Sequence, residues 1–136
     1  MTSATGANDT LAQHLLGEII ANGVTIHLLS ADQDYTDGNT ELTADSEATQ
    51  SVTAANMTVN AATDFTDTAT LTNDNEINFD VSGITTSTTI SHLATQDQTN
   101  TDRFVLSDET NDPDIGNLDT YTIPAGTVLY EFGNPT

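Results

Sequence analysis

Two turns concentrate the side chains that could hold a cation. "DQDYTDGNTE" spans 32–41 and "DETNDPDIGNLD" spans 108–119. Hard cations take oxygen ligands, and a helix–loop–helix calcium site wants them at fixed loop positions with a glycine at the sharp turn. Counted from Asp32, the first and third positions are filled by Asp32 and Asp34. Asp37 then stands where the glycine belongs, Gly38 comes one residue late, and Thr43 replaces the bidentate Glu. The stretch is therefore not an EF-hand. It reads as a solvated acidic loop or as a less regular cation turn. In the second turn Asp112 and Asp114 are the candidate ligands, although its Asp-Pro and Ile-Gly-Asn elements account for a hairpin-like loop without any ion. No cofactor is expected, and bound Na, K, Mg or Ca is left open at these carboxylates.

The other reactive side chains do not assemble into a catalytic motif. His14, His27 and His92 have no metal-ligand spacing such as HExxH, so they read as surface or interface histidines. Ser91 and His92 are neighbours in an extended stretch, where alternation sends them to opposite faces and prevents a nucleophile–base pair. The chain has no phosphate loop, no nucleophile elbow and no Lys. One Arg is a poor supply of charge for an anionic transition state, and an enzyme is not expected. That cation, Arg103, sits in "TNTDRFVLSDETND" (99–112) beside Asp102, Asp108, Glu109 and Asp112. A planar five-donor guanidinium holds two acceptors at once, so Arg103 is predicted to clamp acids within the subunit or across an interface; a freely solvated Arg is the alternative.

The whole chain shares this acidity: 21 Asp and Glu stand against one Arg, a formal charge of −20 over 136 residues. Such a charge opposes compaction in dilute salt and is screened in molar salt, where the Debye length shrinks to about 3 Å. Intrinsic disorder is the rival explanation. Absence of Lys, acids spread along the whole chain and periodic apolar clusters favour adaptation to salt. With no basic footprint, nucleic acid is not an expected partner. There is no Cys, hence no disulfide or thiol-based metal site. No apolar run is long enough to span a membrane, and "MTSATGANDT" has neither the basic nor the apolar region of a signal peptide.

The elements follow from periodicity. Residues 1–9 read as a flexible leader and 10–136 as a single β-rich domain. "TLAQHLLGEIIANG" places Leu11, Leu15, Leu16, Ile19 and Ile20 on a helical stripe, with Thr10 and Gln13 at capping-box spacing and Asn22-Gly23 as the stop. Gly17 inside it suggests close packing. Strands are predicted at 24–30, 51–60, 76–82, 88–95, 103–107, 120–123 and 127–132, the clearest being "EINFDVS", where Ile77, Phe79 and Val81 alternate with polar residues. Thr, about a fifth of the chain, suits pleated half-exposed surfaces. The fold class is mainly β: an antiparallel β-sandwich or barrel with one N-terminal α-helix. Hydrophobic residues reach only 35% and aromatics 5%. Burial against further copies is therefore expected, as a homo-oligomer such as a trimer or pentamer, with Leu129, Tyr130 and Phe132 of the C-terminal strand as interface candidates. Asn8 and Asn56 lie in N-x-Thr sequons and leave glycosylation open. Tyr35, Tyr121 and Tyr130 are too few to argue for a sugar platform.

The order of elements resembles that of small virion proteins of tailed bacteriophages, tail-fibre or head-fibre-like. Those run helix, apolar strand plus turn, an I-x-F strand, a T-I-x-H strand and a C-terminal x-F-x-A-G-x-L segment. Here the corresponding stretches are "LAQHLLGEII", "VTIHLLSADQD", Ile77-Asn78-Phe79, Thr89-Ile90-Ser91-His92 and Ile123-Pro124-Ala125-Gly126-Thr127-Val128-Leu129, over roughly residues 10 to 133. Trp and Gly, frequent in that family around the T-I-x-H strand, are missing here. Together with the acidity, the resemblance implies a structural protein of a haloarchaeal tailed virus: a capsid decoration, turret or vertex subunit, assembled in the host cytoplasm onto the virion, with the major capsid protein or other virion proteins as partners. A tail or receptor-contacting fibre subunit is the alternative on the same particle. A cation- or carbohydrate-binding sandwich module of a haloarchaeal surface protein is the alternative outside it.

Overall fold

A helix and nine short strands form from the patterns above in the computed structural model, which describes residues 9–30, 46–60, 68–101, 104–109 and 111–133. They are α1 (Asp9–Ile20), β1 (Val24–Leu29), β2 (Ser46–Val52), β3 (Met57–Asn60), β4 (Thr68–Asn73), β5 (Ile77–Asp80), β6 (His92–Asp97), β7 (Phe104–Asp108), β8 (Thr120–Ile123) and β9 (Val128–Gly133), with a 3-10 turn at Ala54–Asn56. All pairings are antiparallel, giving sheets ordered β2-β1-β6-β7, β3-β4-β9 and β5-β8. The fold is mainly β, a sandwich-type assembly of antiparallel sheets with one N-terminal helix.

Leu16 and Ile20 bury the helix in the same core as Val24, Ile26 and Leu28 of β1, Leu71 of β4, Phe79 of β5 and Leu129 of β9. Helix α1 ends where expected. Gly23 takes φ +82, and its N–H donates to the Ile20 carbonyl at 2.9 Å, which satisfies one of the carbonyls left over at a helix end. The helix starts at Asp9, so Thr10 lies inside it and is not its cap. Gly17 also departs from expectation: a Cβ there would meet nothing within 4 Å, so no close packing requires glycine. Gly17→Ala is therefore expected to stabilise the fold by about 0.5–1 kcal/mol, read as a rise in thermal midpoint.

Both faces of β1 are buried. Val24, Ile26 and Leu28 face the main core, while Leu29 and Ala94 form a second small cluster with the half-buried Phe104 and Leu106. The single strand predicted over 51–60 is split by the 3-10 turn into the end of β2 and β3, two strands of different sheets. The strand predicted at 88–95 begins only at His92. Its leading residues instead join an irregular ladder with 109–117, in which Ile90 N–H donates to Pro113 O and Ile115 N–H to Thr88 O, both at 2.9 Å. Strand β4 is an addition to the strands predicted from periodicity. "TATLTN" offers only Ala69 and Leu71 as apolar residues, a weak alternation, yet both are fully buried.

β4 and β5 follow one another, as do β8 and β9. Since β4 pairs with β9 and β5 with β8, they make one long two-stranded ribbon, bent where 74–76 meets 124–127. At its far side β9 meets β7, the Ser107 hydroxyl donating to the Leu129 carbonyl.

Candidate functional site: a polar cleft at the ribbon bend

The bend is held by one buried side chain. Asn73, 1% exposed, donates from Nδ2 to the carbonyls of Asn75 (2.8 Å) and Pro124 (2.9 Å). Its Oδ1 accepts the Thr127 N–H at 2.9 Å, and its own carbonyl accepts the Gly126 N–H at 2.7 Å. Gly126 adopts φ +78, the left-handed conformation that glycine takes without a Cβ penalty. A carboxamide suits this position because it supplies two donors and one acceptor in a fixed plane.

The turn so fixed forms one wall of a cleft of about 310 Å³, with residues 75–78 on one side and residues 50–53 and Asn56 on the other. Val52 and Ile77 also line it, their side chains buried in the main core. Its walls are hydrogen-bonded to one another. Asn75 Nδ2 donates to Asn56 Oδ1 at 3.2 Å, and Asn56 Nδ2 donates to Thr53 Oγ1 at 3.1 Å. Asn78 Nδ2 donates to Glu76 Oε1 at 3.1 Å, and Thr122 donates its hydroxyl proton to Asn78 Oδ1 at 2.6 Å. Glu76 is the one ionisable side chain of the lining. The Asn56 sequon opens onto this cleft, with Asn56 and Thr58 both exposed.

Of the carboxylates singled out from sequence, Asp114 has a structural task. Its Oδ1 accepts the N–H groups of Thr88 and Gly116, both at 2.9 Å, and its Oδ2 accepts the Ser87 hydroxyl at 2.6 Å. These donors hold its pKa below the usual carboxylate range, the Ser87 hydroxyl first among them. It ties 86–91 to 111–117. Asp112 is exposed in the left-handed region, φ 43, and its N–H donates to Glu109 O. The structure does not place Asp112 and Asp114 in a cluster of three or more His, Cys, Asp or Glu among the described residues. Asp32, Asp34, Asp37 and Arg103 lie outside the described residues.

The interface candidates divide. Leu129 is fully buried in the chain's own core, where the β4–β9 register shift turns it inward, and so is withdrawn from any contact surface. Tyr130 packs half-buried on that core. Phe132 pairs through its backbone with Ala69, and its side chain lies outside the described residues. Among the described residues, the large apolar side chains that do reach solvent are Leu15, Leu118 and Val128.

Ser91 and His92 need a further correction. Ser91 precedes the regular strand, so alternation does not apply, and its hydroxyl lies 2.9 Å from His92 Nδ1. This local contact lies outside the cleft lining, and the Ser91 N–H is already given to Leu29 O. His27 is buried, with ring nitrogens 3.0 Å from Ser46 Oγ and 2.9 Å from Gln96 Oε1. Burial lowers its pKa, and the Gln96 contact opposes this only in part. The unfolded chain therefore binds the proton more readily than the folded one. Stability is full above about pH 6.5, the ordinary imidazole value, and is lost as pH falls from there toward the lowered folded value. Denaturant midpoints between pH 7 and 5 should fall less steeply in His27→Gln than in the parent.

Comparison with protein-family models, with curated proteins and with solved structures finds no match. No helix among the described residues is long and apolar enough to cross a membrane.

Proposed function

We propose that this chain is a structural subunit of a virion surface, a capsid decoration, turret or vertex protein of a haloarchaeal tailed virus, working by packing and edge pairing without catalytic chemistry. The observation that carries the reading is an ordered antiparallel β-fold under a formal charge of −20. A chain of this charge with a defined core is suited to molar salt, where its self-repulsion is screened. The strand edges support assembly: β3 and β8 end their sheets with no further strand paired among the described residues. Exposed edges of this kind accept a neighbour's strand. The order of elements described above supplies the virion assignment.

Circular dichroism over a salt series checks the premise. The thermal midpoint is expected to fall by tens of degrees on dialysis from molar to about 0.1 M salt, where the Debye length grows to about 10 Å; an unchanged midpoint rejects salt adaptation. Light scattering in molar salt, together with a map of purified particles, then tests assembly and place. The polar cleft favours a second reading, a receptor-contacting fibre subunit or a carbohydrate-binding module, because it offers a recognition surface that a purely packing subunit does not need.

A further inference from the structure

We propose that the cleft between 50–53 and 75–78 binds a neutral polyhydroxylated ligand, a single hexopyranose unit of a saccharide. Its volume of about 310 Å³ falls at the lower end of small-ligand sites. Size alone admits many ligands, and the chemistry of the wall narrows them.

The chain has no Lys, and among the described residues no Arg or His lines the cleft, so anions find no charge partner there. Purely apolar molecules would strip water from amides and hydroxyls without replacing their hydrogen bonds. A sugar ring presents the opposite pattern: hydroxyls around its edge and C–H groups on its face. The hydroxyls meet Gln50, Ser51, Asn56, Asn75, Glu76 and Asn78.

The internal contacts arrange these groups without exhausting them. Each carboxamide has two N–H donors and an oxygen with two lone pairs. Asn75 uses one N–H toward Asn56, and Asn56 uses one toward Thr53, so each retains a second N–H. Asn78 gives one N–H to Glu76 Oε1, which leaves Glu76 Oε2 as an acceptor for a ligand hydroxyl. Asn73 fixes the Asn75 carbonyl from behind, so the wall is held before a ligand arrives. Preorganised side chains lower the ordering cost of binding. A single sugar on a shallow polar surface should bind with a dissociation constant of order 1–10 mM.

The proposal goes beyond the virion reading and does not depend on it: a cleft that binds sugar serves a fibre, a turret or a cell-surface module alike. The test is two-dimensional NMR of the ¹⁵N-labelled full chain in molar NaCl, following the side-chain amide peaks. D-glucose, D-galactose, D-mannose and N-acetylglucosamine are each titrated to about 50 mM, well above the expected constant. At least one should shift the Asn56, Asn75 and Asn78 amides saturably. Glu76→Gln should weaken that sugar about tenfold, and Asp80→Asn, outside the cleft, should leave it unchanged. Absence of saturable shifts for all four sugars overturns the proposal. So do shifts of the same amides with MgCl₂ at constant ionic strength and none with sugar, which would make the cleft a cation site. Failure here leaves the particle map and light-scattering results untouched, so the two readings fall separately.

Discussion

Asn73→Asp is expected to destabilise the fold by about 3–5 kcal/mol at pH 7, the range for an uncompensated buried charge. The substitution changes almost no volume. It replaces two N–H donors by an oxygen facing the carbonyls of Asn75 and Pro124, at the 2.8 and 2.9 Å separations that now hold hydrogen bonds. Acceptor then faces acceptor at a residue 1% exposed. Those surroundings favour the protonated acid, so the variant's carboxyl has a raised folded pKa. Its stability relative to the parent should therefore be best at low pH and worsen as pH rises through that value. Asn73→Ala should also destabilise, by about 3 kcal/mol, through unsatisfied buried carbonyls and a small cavity, but with no such pH trend. Urea unfolding of the three proteins at pH 4.5 and 7 separates the effects. Equal stability of Asn73→Asp and the parent at pH 7 would remove Asn73 as the support of the bend.

Gly116→Ala should cost about 3 kcal/mol, at the upper end of overpacking penalties. A Cβ at Gly116 would collide with the Thr86 carbonyl oxygen and would stand 2.7 Å from the Thr86 carbonyl carbon and 2.9 Å from Ser87 Cα. All three are backbone atoms, which cannot swing aside as a flexible side-chain tip can. They belong to the ladder that Asp114 ties together and that places Ile90 and Ile115 in the core. Differential scanning calorimetry should show a midpoint lowered by roughly 10 °C for a chain of this size. Gly83→Ala is the control, because a Cβ there meets nothing within 4 Å and should leave the midpoint nearly unchanged. An unaltered midpoint in Gly116→Ala would mean that the 86–91 segment can move away from 111–117 without loss.

Much of the β framework was legible because alternation and burial agree. Ile77, Phe79 and Val81 alternate with polar residues and are buried. The helix stop at Asn22-Gly23 was legible because a left-handed residue after a helix is a local requirement. β4 was hidden because Thr and Ala carry little hydrophobic signal, and its burial comes from the sheet on which it lies. The Ser91–His92 contact is hidden in the sequence for a related reason: alternation holds only within a regular strand, and His92 is where that regularity begins. Leu129 reads as an interface candidate because its strand is rich in apolar residues. A register shift against β4, invisible without the partner strand, sends it inward while Val128 stays outside. The cleft leaves no mark in the sequence, because Gln, Asn and Ser scattered over 50–56 and 75–78 are ordinary turn chemistry.

By itself, then, the sequence determined the charge, the absence of thiol chemistry, the β class and the N-terminal helix, all of which follow from composition and short-range periodicity. Tertiary structure alone decided which strands share a sheet, how Asn73 bends the ribbon, and that residues some 25 positions apart form one polar cleft. Those outcomes depend on pairing between distant segments, where hydrogen-bond satisfaction at a few buried polar atoms selects one arrangement among many of similar hydrophobicity.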